Sequence, residues 1–88
     1  MNLKISVELT FSPLMDQYEK PIQDFIKKLR ASGLIVTENP LSTQVYGDYD
    51  QVMNLVQTEM KTAFNNVNSG LMYMKIVKTD RSDYEPNF

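Results

Sequence analysis

Residues 34–50, LIVTENPLSTQVYGDYD, decide the fold. Two short runs rich in strand-forming residues, 34–37 and 43–46, flank residues 38–41. Those four contain the Asn39-Pro40 turn signal, so the stretch reads as a β-hairpin. On its N-terminal side the hairpin follows a helical pattern after almost no loop. On its C-terminal side Gly47 breaks the strand, and aspartates at 48 and 50 lead into a second helical pattern. A hairpin held between two helices leaves its partners to be found further out in the chain.

The preceding helix is marked by Ile22, Phe25, Ile26 and Leu29, with Gly33 where a left-handed C-cap would sit. Asp16 and Glu19 have capping-box spacing, although Pro21 would then disturb the second turn; alternatively the regular helix starts near Pro21. The following helix carries Val52, Leu55, Val56, Met60, Ala63 and Phe64 on one side, about four turns at 3.6 residues each. Asparagines 65, 66 and 68, Ser69 and Gly70 end it.

Beyond these helices lie the outer strands. Leu3, Ile5, Val7, Leu9 and Phe11 alternate with Lys4, Ser6, Glu8 and Thr10, giving one apolar and one polar face until Pro13 stops the ladder. At the other end LMYMKIV, residues 71–77, is a strand with apolar side chains on both faces. The order β-α-β-β-α-β predicts an α+β ferredoxin-like plait: a four-stranded antiparallel sheet with both helices on one face, occupying residues 1–80, followed by a polar C-terminal tail, 81–88. Right-handed crossovers put the first and third strands at the centre. The helix-free face then carries Ser6, Glu8 and Thr10, with either Leu71, Tyr73 and Val77 or Met72, Met74 and Ile76 beside them. An apolar edge strand of this kind invites association.

Composition narrows the function. The chain has 88 residues, a formal net charge of −2 and no histidine or cysteine. Its size permits one domain that removes only roughly 60 to 65% of its unfolded surface from water, so self-association would help it. An acidic chain with scattered basic residues does not suit a nucleic-acid phosphate backbone. Missing thiols and imidazoles exclude a copper-chaperone role, thiol nucleophiles and the usual neutral-pH base. An RNA-recognition role fails because the polar face of the first strand carries Glu8 rather than aromatic side chains. The loop after that strand, Ser12 to Asp16, has neither the glycines nor the arginine of an acyl-phosphate hydrolase. No apolar stretch approaches the roughly 20 residues of a membrane span, and the alternating N-terminus is unlike a signal peptide, so a cytoplasmic location is expected. A binding module, needing only a cleft with a few polar groups, survives.

Residues 5–14, ISVELTFSPL; 32–34, SGL; 39–53, NPLSTQVYGDYDQVM; and 75–83, KIVKTDRSD, together resemble the thiamine-binding protein family, single-domain proteins related to the thiamine and hydroxymethylpyrimidine binding protein YkoF. Pro40, Leu41, Ser42, Thr43 and Gly47 carry its most specific element. The chain departs from the pattern at Gln44, where an apolar residue is more usual, and after Tyr49, where a basic residue is missing. The resemblance implies a ferredoxin-like domain that assembles into homodimers or homotetramers, a pocket for the aminopyrimidine of thiamine, and neither a reaction nor a cofactor.

Against that background Ser42 and Thr43 are candidates to hydrogen-bond a pyrimidine, since hydroxyls both donate and accept; their bland role is to satisfy backbone at the hairpin. Glu8, with Ser6 beside it, is a candidate to meet an amine or a thiazolium, or else a solvated or subunit-bridging charge. Tyr46 could stack on a heterocycle, and Tyr73 suits a subunit interface. Asp48 and Asp50 are too few to hold a metal and read as a helix cap starting at one or the other. Carboxylate catalysis at Glu8 or this aspartate pair is the remaining enzymatic reading, and a subunit-pairing or regulatory module the remaining non-enzymatic one.

Overall fold

The computed structural model describes residues 3–88. The elements run β1 Lys4–Pro13, α1 Glu19–Arg30, β2 Ile35–Glu38, β3 Thr43–Asp48, α2 Tyr49–Asn65 and β4 Gly70–Lys78. The strands form one sheet in the order β2-β3-β1-β4, with every pairing antiparallel. This is the ferredoxin-like α+β plait, with β1 and β3 central.

Local chemistry accounts for most of the boundaries. Helix α1 begins two residues before Pro21, with Tyr18 in the N-cap position and no side-chain cap. The start near Pro21 holds to within two residues and the capping-box start at Asp16 does not, and Pro21 is tolerated for a simple reason. The first N–H groups of a helix have no intrahelical partner, so a proline in the first turn loses nothing. Lys27, Lys28 and Arg30 crowd the last turn, where the helix dipole favours cations. Gly33 follows at φ +85°, a conformation costly for residues with a Cβ.

In the hairpin, the Asn39 side-chain oxygen accepts from the backbone N–H groups of Leu41 and Ser42 at 2.8 and 3.0 Å, and the Asn39 N–H donates to the Ser42 carbonyl. Asparagine thereby mimics a backbone turn. Asp48 takes the N-cap position of α2, but its carboxylate makes no cap bond. It is engaged instead by the Lys4 ammonium at 2.8 Å, a bond that also raises the lysine pKa. The aspartate expected to cap the helix therefore ties it to β1.

The core lies between helices and sheet. Ile5, Val7, Leu9 and Phe11 of β1 and Val45 of β3 pack against Phe25 and Leu29 of α1 and Val52, Val56 and Ala63 of α2. Phe11 sits edge-on to both Phe25 and Phe64, with ring centroids 5.6 and 6.0 Å apart. The residues facing Phe11, Leu9 and Val7 across the β1–β4 ladder are Met72, Met74 and Ile76, which places Leu71, Tyr73, Lys75 and Val77 on the helix-free face.

Arg30 at the end of α1 grips Glu38 at the end of β2 in a two-pronged pair, Nη2 to Oε1 at 2.7 Å. The guanidinium bond holds the Glu38 carboxyl below its ordinary value of 4.5. A carboxylate whose pKa is lowered by folding adds stability above its unfolded pKa and loses it as the pH falls through the folded one. Wild type is accordingly expected to exceed Glu38→Gln slightly in urea midpoint at pH 7, with the gap closing as the pH falls below the ordinary carboxylate range. An unchanged gap at acid pH would show that the pair contributes nothing through charge.

Candidate functional site

The helix-free face is built from alternate residues of four strands. Cross-strand pairing sets Ser6 opposite Tyr46 and Val77, and Glu8 opposite Gln44 and Lys75. On the β2 side Ile35 stands opposite Tyr46 and Thr37 opposite Gln44. A polar strip thus crosses the middle of the sheet, between the side chains of Ile35, Tyr46 and Val77 on one flank and that of Tyr73 on the other.

Within that strip a directed chain of hydrogen bonds runs across three strands. The Thr37 hydroxyl donates to Gln44 Oε1 at 2.7 Å, Gln44 Nε2 donates to Ser42 Oγ at 2.7 Å, and Ser42 Oγ donates to Glu8 Oε2 at 2.8 Å. Every donor in the series points toward the carboxylate, so each bond polarises the next. The carboxylate is half-buried and oriented, and a carboxylate can accept about four hydrogen bonds. Beside it is a shallow depression of about 150 Å³, lined among others by Glu8, Gln44, Tyr46, Lys75, Val77 and Arg81.

Ser6 closes one end of this depression. Its side chain is buried; the hydroxyl donates to the Thr79 carbonyl at 2.7 Å and accepts the Arg81 backbone N–H at 2.8 Å. The hydroxyl is therefore used to fasten the start of the C-terminal segment to the sheet. That contact holds Arg81 beside the depression, which it helps to line.

Thr43 lies elsewhere. It pairs with Leu9 in the β1–β3 ladder, so its side chain faces the helices, and it is only 5% exposed. It lines a different cavity, of about 140 Å³, with Leu9, Ile22 and Phe25. Of the candidates read from the sequence, Ser6, Glu8, Ser42 and Tyr46 come together on the open face and Thr43 does not join them. Adjacent strand residues point to opposite faces, which is why the neighbours Ser42 and Thr43 part company.

The residues missed are Thr37, Lys75 and Arg81, together with the role of Gln44. Lys75 left a signal: it is the one charge in residues 71–77 and shares the period-two face of Tyr73 and Val77. Arg81, with Asp83, lies in the 75–83 stretch that resembles the family but reads alone as an exposed tail, because its place depends on a serine 75 positions earlier. Among the described residues no cluster of three or more histidine, cysteine, aspartate or glutamate side chains could hold a metal ion. No helix among them is long and apolar enough to cross a membrane.

Comparison with known proteins adds a family to this geometry. The family model described as thiamine-binding protein matches residues 7–87. A Streptococcus pneumoniae protein of known structure is 20% identical, with a TM-score of 0.82 over 88% of each chain. A Thermotoga maritima protein provisionally assigned to thiamine biosynthesis or salvage is 18% identical, with a TM-score of 0.79 over 86% of this chain and 84% of its own. A Methanocaldococcus jannascii protein reaches 25% identity with a TM-score of 0.74, over 93% of this chain and 84% of its own. No curated protein matches significantly. At these identities the structures speak for the fold, whereas the family model spans nearly the whole sequence, and on that ground the chain belongs to the thiamine-binding protein family.

Proposed function

We propose that the protein binds thiamine, or its hydroxymethylpyrimidine part, on the open sheet face without converting it. The observation that carries this reading is the hydrogen-bonded series Thr37, Gln44, Ser42 and Glu8, which ends on an oriented carboxylate at the edge of a depression. An aminopyrimidine presents an N–H donor to such a carboxylate, and a charge-assisted bond results. Tyr46 offers an aromatic face and Val77 an apolar one to a planar heterocycle. Ser6 acts through the segment it fastens. Binding needs nothing beyond these groups, and a role in cytoplasmic vitamin salvage or delivery fits a family of binding proteins.

In the same reading the chain works as a homodimer or homotetramer. Strand β4 lies at the sheet edge, and both its faces are under-covered: Tyr73 is 59% exposed on the open side and Ile76 45% on the helix side. Unpaired edge backbone flanked by apolar side chains suits a second copy pairing along it.

Native mass spectrometry tests both parts at once. Dimers or tetramers are expected, carrying one ligand per chain with thiamine or hydroxymethylpyrimidine and none with the thiazole alcohol. No mass shift with either pyrimidine compound at high micromolar concentration would overturn the binding reading, and a monomer at every concentration would overturn the assembly.

A further inference from the structure

We propose that the natural ligand of this depression carries a phosphate ester, and that Lys75 and Arg81 hold the phosphate. The inference deepens the pyrimidine-binding reading and rests on it for the other end of the ligand.

Charge is the first argument. The chain as a whole is acidic, at −2, yet this depression places two cations around one carboxylate. Neither cation is spent. The ion pairs among the described residues are Lys4–Asp48, Lys20–Asp24 and Arg30–Glu38, which leave Lys75 and Arg81 without a carboxylate partner there. Lys75 stands directly opposite Glu8 in the ladder but is not within ion-pair distance of it. Asp80, the nearest acid in sequence to Arg81, is engaged by Ser82, whose side chain first and backbone N–H second lower its pKa.

The second argument is positional. A flexible surface arginine would cover such a depression only part of the time, but this one is anchored at several points. Its backbone N–H is held by the buried Ser6 hydroxyl, which in turn donates to the Thr79 carbonyl, and its Nε donates to Thr79 Oγ1 at 3.1 Å. The chain makes this turn with Thr79 at φ +134°, a conformation that a β-branched residue rarely adopts. Strained backbone persists where surrounding contacts over-determine it, and such strain clusters at binding sites. With Nε occupied, the two terminal nitrogens of the guanidinium remain to form the planar fork that matches phosphate oxygens, and the Lys75 ammonium adds a point charge beside it.

One carboxylate and two cations along one strip fit a zwitterion. A thiazolium or amine would lie toward Glu8 and a phosphate monoester toward Lys75 and Arg81, so that each charge meets its opposite.

Calorimetric titration of the full chain with thiamine, thiamine monophosphate and inorganic pyrophosphate tests this. The monophosphate is expected to bind roughly tenfold or more tightly than thiamine, with the ratio shrinking as salt rises. In Arg81→Gln and in Lys75→Gln that ratio is expected to fall toward one; if either variant proves unfolded by circular dichroism, the other decides. Equal affinities in the native chain would overturn the phosphate subsite while leaving the pyrimidine reading intact. Pyrophosphate binding that is lost in the variants, with no pyrimidine compound bound, would support the anion subsite and sink the pyrimidine reading. No binding of any of the three would overturn both.

Discussion

Replacing Glu8 by glutamine is expected to weaken thiamine binding by about 10- to 100-fold while leaving the unfolding temperature nearly unchanged. Hydrogen bonds to a charged group contribute about 1.5–3 kcal/mol, and each 1.4 kcal/mol is a factor of ten in affinity. Glutamine keeps the shape and can still accept from Ser42, so the loss reports the charge rather than a collapsed site. The residue is only half-buried, on the face opposite the core, and its removal leaves no cavity. Isothermal titration with thiamine, alongside thermal unfolding, provides the measurement. The informative comparison is Thr43→Ala, which alters the cavity on the other side of the sheet. If Thr43→Ala weakens binding and Glu8→Gln does not, the ligand lies between helix α1 and the hairpin, and the open-face reading is wrong.

The largest effect on stability is expected from Leu29→Ala. Leu29 has no exposed surface and sits where α1 meets the core formed by β1, β3 and α2. Truncating a buried leucine costs about 2–5 kcal/mol, combining lost transfer energy with a cavity that relaxes only partly. Domains of this size hold a total of about 5–15 kcal/mol, so the variant would spend a large share of it. For a chain of this length the melting temperature should fall on the order of 10–30 °C by calorimetry. A fall of only a few degrees would mean that α1 can settle into the space, and that the core is less rigid than the contacts of Phe25 and Phe11 imply.

How much was legible follows from how local each signal is. Residues 34–50 and the alternation of 3–11 specify strands through a period of two, and the two helical stripes specify helices through a period of 3.6. Those periods, with the asparagine-proline turn and Gly33, were enough to predict the plait and the central position of β1 and β3. At the start of α1 the sequence left two alternatives open because proline was weighed as a breaker; the one near Pro21 holds to within two residues, since in the first turn its missing donor has no cost. Asp48 was read as a cap from its neighbours alone, and the ion pair with Lys4 that claims it spans the sheet.

The candidate site was legible only in part. Glu8, Ser6 and Tyr46 share a face by parity, and parity alone separates Ser42 from Thr43, a deduction available from the sequence once the strand begins at Thr43. Strand β4 offered no such deduction, since its apolar residues occupy both faces; only the pairing of Met74 with Leu9 and of Lys75 with Glu8 assigns them. The hydrogen-bonded series to Glu8 joins residues from three strands, and the tether from Ser6 to Arg81 joins the two ends of the chain.

The sequence by itself thus determined the elements and their order, because these rest on patterns that repeat every two to four residues, and the family, through specific stretches matched along nearly the whole chain. Tertiary structure alone decided which face β4 turns outward, what engages Asp48 and Ser6, and that Lys75 and Arg81 converge on the depression beside Glu8. Those outcomes depend on which distant residues meet across the sheet, and register is set by the packing of a whole face rather than by any local preference.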